Sequence, residues 1–337
     1  MDLDTFFTVL YVIVDGWYKT CFAGQLHKHP GAEAKLSDSE VLTIMIAGQW
    51  QAGVPWRSER GILRWLDKHG RGWFPRLLKK SAFNRRARLL WRAYIGLQQY
   101  VAELLGQATA AYEVVDGLPV PAYSCGQAER EASHWLWLSE KGHGGTSGGW
   151  FIGDRLLAAV TDSGVISGWL LGTANINERW LLNVFLSARC GQPELLSPPP
   201  DREHSKLPLP EPCGRISPLA AVGHSFTQPY LADRGFNGQR WLSHWQDLYQ
   251  AHVISPAPDN AHSPWSSAAK HTFASARQIV DTVFSVLSNV FGFKHVNAHS
   301  YLGLDARVAA KCAAFNLGIL FNRFLGRPDL AHQTLLL

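Results

Sequence analysis

Two stretches of this chain end in the same way. Tyr112-Glu113-Val114-Val115-Asp116 runs into an acid and meets Gly117, and Tyr230-Leu231-Ala232-Asp233 does so just before Arg234-Gly235. Short β-prone runs closed by an acid and a glycine predict strands that hold a carboxylate at the rim of a sheet. Taken singly, either acid also reads as an ordinary turn residue. Their surroundings add order. Residues 150–160 and 165–171 read as strands around Asp162-Ser163-Gly164, an antiparallel hairpin. Asn177 stands where a helix cap belongs, ahead of Glu178, Trp180, Leu181, Leu182, Val184 and Phe185. A helix over 240–249, a strand over 252–254 and helices over 274–290 and 304–324 complete the pattern. It predicts an α/β domain with a mixed sheet flanked by helices.

Before Tyr112 the texture is helical. Ser37 and Ser39 precede Val41, Leu42, Ile44 and Met45 and can cap a first turn. Gly53 and Pro55 break the pattern, Ile62 to Leu66 resume it, and a longer helix is expected through Phe83, Leu90 and Leu97. Helix, break, helix suits a helix-turn-helix-like module. Charge separates this region from the rest. Residues 1–110 carry 15 Lys/Arg against 9 Asp/Glu, and residues 57–92 carry 12 against 2. The remaining residues carry 17 against 18. A basic helical module on a neutral body predicts a polyanionic partner, most simply nucleic acid. The expected domains are 1–108, helical and DNA-binding, and 109–328, α/β, with an exposed proline-rich loop over 191–218 and a tail over 329–337.

Two converging carboxylates repel unless a cation lies between them, and hard oxygen donors favour Mg²⁺ or Mn²⁺. A third acid is expected from a helix crossing the sheet. No glutamate occurs after Glu211, so a third acid near the end of the chain is an aspartate: Asp247, Asp259, Asp281, Asp305 or Asp329. Asp281 is chosen because it lies among Ile279, Val280, Val283 and Phe284, where an acid is costly unless paired or bound. Arg277, four residues earlier, offers it an intrahelical ion pair as the plainer alternative.

Other chemistries fit poorly. Five widely spaced cysteines give neither a disulfide framework nor a zinc cluster and suit a reducing compartment such as the cytoplasm. His295 and His299 lack the glutamate of a zinc-protease motif. The glycine-rich stretch 142–149 lacks the Gly-Lys-Ser/Thr ending of a P-loop, so no nucleotide cofactor is expected. The apolar run 6–14 stops at Asp15 without a basic leader, so it predicts a buried helix and no membrane association.

Several motifs, in order, resemble the DDE-type insertion-sequence transposases of bacteria. Leu36-Ser37-Asp38-Ser39-Glu40-Val41-Leu42 is similar to the opening helix of a compact branch of that family. Phe74-Pro75 and Ser81-Ala82-Phe83-Asn84-Arg85-Arg86 resemble its next helical signature. Val115-Asp116-Gly117-Leu118-Pro119-Val120 and Leu231-Ala232-Asp233-Arg234-Gly235-Phe236 resemble its first- and second-acid motifs. Arg277 with Asp281 stands in place of its Arg-x-x-x-Glu, and Gly153-Asp154-Arg155-Leu156 resembles a hairpin strand that usually carries a lysine facing DNA. Two positions depart: aspartate replaces the usual third glutamate, and Ser288 occupies the place of a frequent lysine, with Lys294 nearby.

The resemblance implies an RNase H-like domain with Asp116, Asp233 and Asp281 holding two Mg²⁺ or Mn²⁺ ions. It implies end cleavage and joining of DNA 3′-hydroxyls to a target, with double-stranded terminal inverted repeats and target DNA as partners and a homodimer on DNA. Lys141, Arg155, Arg277, Arg234, Arg85 and Arg86 are the expected DNA contacts. The shortened third acid keeps a second possibility in view: a decayed or domesticated copy, acting as a nuclease or a non-catalytic DNA-binding protein.

Overall fold

In the computed structural model, the residues described are 1–22, 34–124, 140–144, 149–191, 216–223, 226–256, 265–296, 298 and 300–336. Five helices come first: α1 (Leu3–Trp17), α2 (Asp38–Ala47), α3 (Glu59–His69), α4 (Lys80–Leu89) and α5 (Trp91–Leu104). Then follow β1 (Glu113–Ser124), β2 (Glu140–His143), β3 (Trp150–Thr161), β4 (Ile166–Thr173), α6 (Glu178–Arg189), β5 (Ile216–Ala221) and β6 (Tyr230–Ala232). The remaining elements are α7 (Gln239–Tyr249), β7 (Val253–Ile254), α8 (Ser267–Asn289) and α9 (Tyr301–Phe324). The architecture is mixed α/β, with helices leading into a mixed sheet. No described helix is long and apolar enough to cross a membrane.

The chain divides into two compact units, Met1–Leu104 with Ser285–Leu337, and Leu105–Phe284. The boundary expected near 108 lies close to the first division. The last helix and the tail belong with the opening helices, not with the sheet.

In the helical unit, side-chain caps set the helix starts. Ser37 accepts from Glu40 N–H while Glu40 returns a bond to Ser37 N–H, a reciprocal capping box. Ser58 caps α3 and Ser300 caps α9 in the same way, each accepting from the amide three residues on. The single long helix expected through 83–97 is two, because Leu90 leaves helical geometry at φ −87°, ψ 17°. From Gly303 to Asn322, α9 is buried almost without interruption. Its alanines at 306, 309, 310, 313 and 314 leave room for close neighbours on every side. Phe6, Trp50 and Phe291 pack edge to face, with centroids 5.2 and 5.0 Å apart.

In the second unit the strand order is β5-β4-β3-β1-β6-β7. β1, β3, β4 and β5 pair antiparallel, while β1–β6 and β6–β7 are parallel. β2 pairs with Trp150–Gly153 of β3, and β4 takes over pairing from Asp154. The expected hairpin is present: Gly164, at φ 86°, turns the chain, and Thr161 and Val165 close it with a 2.9 Å bond. Asn177 caps α6 by accepting from Arg179 N–H at 2.9 Å. On one face of the sheet, Val115, Leu157, Leu170 and Ala232 bury against Leu181, Phe185, Trp245 and Tyr249 of α6 and α7.

Three expectations change. β1 does not stop at Asp116 but continues to Ser124 through Pro119 and Pro121. Strand alternation explains how. Glu113 N–H points toward β6, donating to Pro229 O, so the backbone nitrogens of 119 and 121 face that same side. β6 pairs only with Glu113–Val115, so neither proline breaks a ladder bond there. Secondly, β2, Glu140–His143, runs into the start of the glycine-rich stretch 142–149, where no strand was expected. Thirdly, β5 begins within the expected loop 191–218; positions 192–215 lie outside the described residues, as do Cys125, Cys213 and His299.

Candidate active site

The parallel register sets the site. Val115 pairs with Ala232, and the next residues on the two strands are Asp116 and Asp233. Both acids therefore stand where β6 leaves β1, the carboxyl-end crevice that parallel strands provide for ligands. Asp116 is held locally: Gly117 N–H donates to its Oδ1 at 2.7 Å. Asp233 caps a single turn, its Oδ1 accepting from Gly235 N–H at 2.7 Å, while Ser255 Oγ donates to its carbonyl at 2.6 Å. The glycines expected beside each acid thus serve as amide donors.

Two arginines offset part of the negative charge of this corner. Arg277, on α8, donates from Nη2 to Asp116 Oδ2 at 2.9 Å. Arg155, on β3, pairs with Glu178 at the start of α6 and donates to His143 O at 2.9 Å. Burial lowers the Arg155 pKa, and the carboxylates of Asp116 and Asp233 raise it in opposition. Asp116 is pushed up to about 6, first by burial; Arg277 and the Gly117 amide pull it down, and Asp233 and Asp281 push it up.

The other candidate residues separate. Asp281 is exposed on α8 and reaches Asp116 only through its charge. The intrahelical pair with Arg277 is replaced by the Arg277–Asp116 contact. Lys141 is exposed on β2 with its ammonium 4.8 Å from the Trp150 ring centre. Arg234 is exposed in the turn after Asp233. In the helical unit, Arg85 is exposed on α4, whereas Arg86 is engaged by Asp38 and the Leu36 carbonyl.

Glu178 was not singled out by the sequence reading. A Cβ added to Gly117 would lie 2.8 Å from Glu178 Oε1, and one added to Gly235 would lie 3.4 Å from Glu178 Oε2. Its carboxylate therefore sits against the backbones of both aspartate motifs. The signal was present, since Glu178 follows the Asn177 cap directly after the hairpin. Asp116 and Asp233 are hard oxygen donors of the kind Mg²⁺ and Mn²⁺ take. Among the described residues, however, no three His, Cys, Asp or Glu side chains are grouped to hold a metal ion. No protein-family model, curated protein or solved structure matches the chain.

Proposed function

We propose that this chain is a DNA transposase of the DDE type, cutting insertion-sequence ends and joining them to target DNA through an RNase H-like domain. One observation carries the reading: Asp116 and Asp233 stand side by side where the parallel β1–β6 pairing ends. The strand order supports it, an antiparallel β4-β3-β1 set extended by the parallel strands β6 and β7. Asp116 and Asp233 would hold divalent cations, Mg²⁺ or Mn²⁺, with Asp281 as the third acid. Such ions supply activation of an attacking hydroxyl and stabilisation of the leaving oxygen. The protein's own part is to place carboxylates and guanidiniums on a fixed frame. Arg277 and Arg155 balance the acids and are suited to bind phosphate oxygens in the fork geometry of a guanidinium.

Nicking of supercoiled and end-bearing linear DNA in Mn²⁺ and Mg²⁺ tests the proposal, with Asp116→Asn, Asp233→Asn, Asp281→Asn and Asp281→Glu beside the wild type. Loss of cutting in the first three variants supports a three-acid site. Cutting by all of them refutes it. A second reading, a DNA-binding descendant without catalysis, is favoured by the exposure of Asp281 and by the guanidinium on Asp116. It predicts binding of the element's ends with no cutting, except where Asp281→Glu restores it.

A further inference from the structure

The helical unit carries a run of adjoining cavities. One, of about 360 Å³, is lined by Lys80, Asn84 and Arg88 of α4 and by Ser300 and Arg307. It adjoins a second of about 330 Å³ that shares Glu59, Lys80, Asn84 and Arg307 and adds Arg57, Arg60 and Lys311. A third, of about 450 Å³, shares Arg60 and Lys80 and adds Arg64 and Lys79. Together they form one elongated groove along α3, α4 and α9.

Its charge is one-sided. The acids in its walls are already engaged: Glu59 by Arg307, with one contact at 2.7 Å, and Asp67 by Arg71. Among the described residues no carboxylate pairs with Arg60, Arg64, Lys79 or Lys80, all of which are exposed. Lys79 and Lys80, where α4 starts without a side-chain cap, stand in the wall of the groove. At the floor, Lys311 is only 3% exposed and donates to Phe291 O. Burial lowers its pKa to about 7, and an arriving anion would restore its charge. A closed pocket would suit a small anion, but this groove is open and repeats its cations. Arg60 and Arg64 lie one turn apart on α3, and Lys80 and Arg88 about 12 Å apart along α4. A ligand of repeated negative charge matches that layout.

We propose that this groove binds the phosphodiester backbone of a nucleic acid, with Arg60, Lys80 and Arg88 as phosphate contacts. The choice of nucleic acid among polyanions rests on the function proposed above; the phosphate chemistry of the groove does not. These side chains differ from Arg85 and Arg86, the α4 arginines expected from sequence.

The test is fluorescence anisotropy of a short labelled DNA duplex against the full chain across a salt series. It compares wild type, Lys80→Gln, Arg60→Gln, Arg85→Gln and Asp116→Asn, with inorganic phosphate and unlabelled duplex as competitors. Circular dichroism of each variant confirms its fold. Lys80→Gln and Arg60→Gln should each weaken binding about five- to tenfold and reduce the slope of log affinity against log salt by about 0.9. Arg85→Gln, outside the lining of all three cavities, should weaken binding less than either groove variant. Wild-type binding by both groove variants overturns the proposal. So does a groove from which inorganic phosphate is displaced by no DNA, which would mark a small phosphorylated ligand. Asp116→Asn separates the two readings. If it stops nicking while groove variants bind normally, only the groove fails. If groove variants lose binding while Asp116→Asn still nicks, only the active-site reading fails.

Discussion

Arg277 gives its guanidinium to Asp116, 161 residues away in the chain, and not to Asp281, one helical turn further along α8. The pairing ties a helix to the central strand at the candidate site. It also predicts what removal does. Arg277→Met takes away the cation that holds the Asp116 carboxyl down, so its titration should move above the present value of about 6. Carbon-detected NMR of the side-chain carboxyl reads this directly, and an unchanged midpoint would contradict it.

Asp116 should also shape stability against pH. Its folded pKa of about 6 lies above the ordinary unfolded value near 3.9, so the folded state holds the proton more tightly. Stability from this group is fully present at low pH and falls as pH rises from about 4 to about 6, then levels. The full loss is about 3 kcal/mol. Urea denaturation at pH 4.5 and pH 7 should show this fall in the wild type and a smaller one in Asp116→Asn.

Arg189 and Glu113 form a pair at 2.5 Å with both side chains 2% exposed, and Arg189 also donates to Tyr230 Oη and Ser167 Oγ at 3.0 Å. This network fastens the end of α6 to β1, β4 and β6. Arg189→Met should cost about 3–5 kcal/mol by stranding Glu113 in the interior. The double variant Glu113→Leu, Arg189→Met should recover most of that loss in chemical denaturation.

Arg155 and Glu178 are partly buried, at 16% and 22% side-chain exposure. Arg155→Met leaves Glu178 beside Asp116 and Asp233 without its counter-ion. A double-mutant cycle with Glu178→Gln should give a coupling of about 1–2 kcal/mol. A coupling near zero would mean that the pair does not organise this corner.

Gly153 faces a crossing point. A Cβ there would lie 2.4 Å from Val120 O and 2.8 Å from Ala122 N, where the β1–β3 register shifts between Pro121 and Tyr123. Backbone atoms cannot swing aside, so Gly153→Ala should cost about 1–3 kcal/mol. Thermal unfolding of this variant and of Gly149→Ala, where nothing lies within 4 Å, gives the comparison.

Elements with local signals were legible in the sequence. The hairpin at Asp162-Ser163-Gly164, the Asn177 and Ser37 caps and the helices ending near 289 and 324 all follow from turn chemistry and periodicity. Asp116 and Asp233 were legible as a pair of similar motifs, although nothing local shows that their strands are neighbours. What escaped depended on partners far away. β1 extends through two prolines because the strand beside them ends early, a fact of β6. Asp281 looked buried by its sequence neighbours but lies on the exposed side of α8. Glu178 had a local cue in the Asn177 cap, but its contact with the backbones of Gly117 and Gly235, 118 positions apart, is a matter of tertiary placement.

The helical unit is assembled from both ends of the chain, whereas the sheet unit uses one continuous span, Leu105–Phe284. That difference imposes an order on synthesis. When a ribosome has released residue 284, every residue of the sheet unit exists and its core can close. The helices α1–α5, made earlier, still lack α9, the helix they surround. Their apolar faces must wait, exposed or chaperoned, until residues 285–324 have emerged.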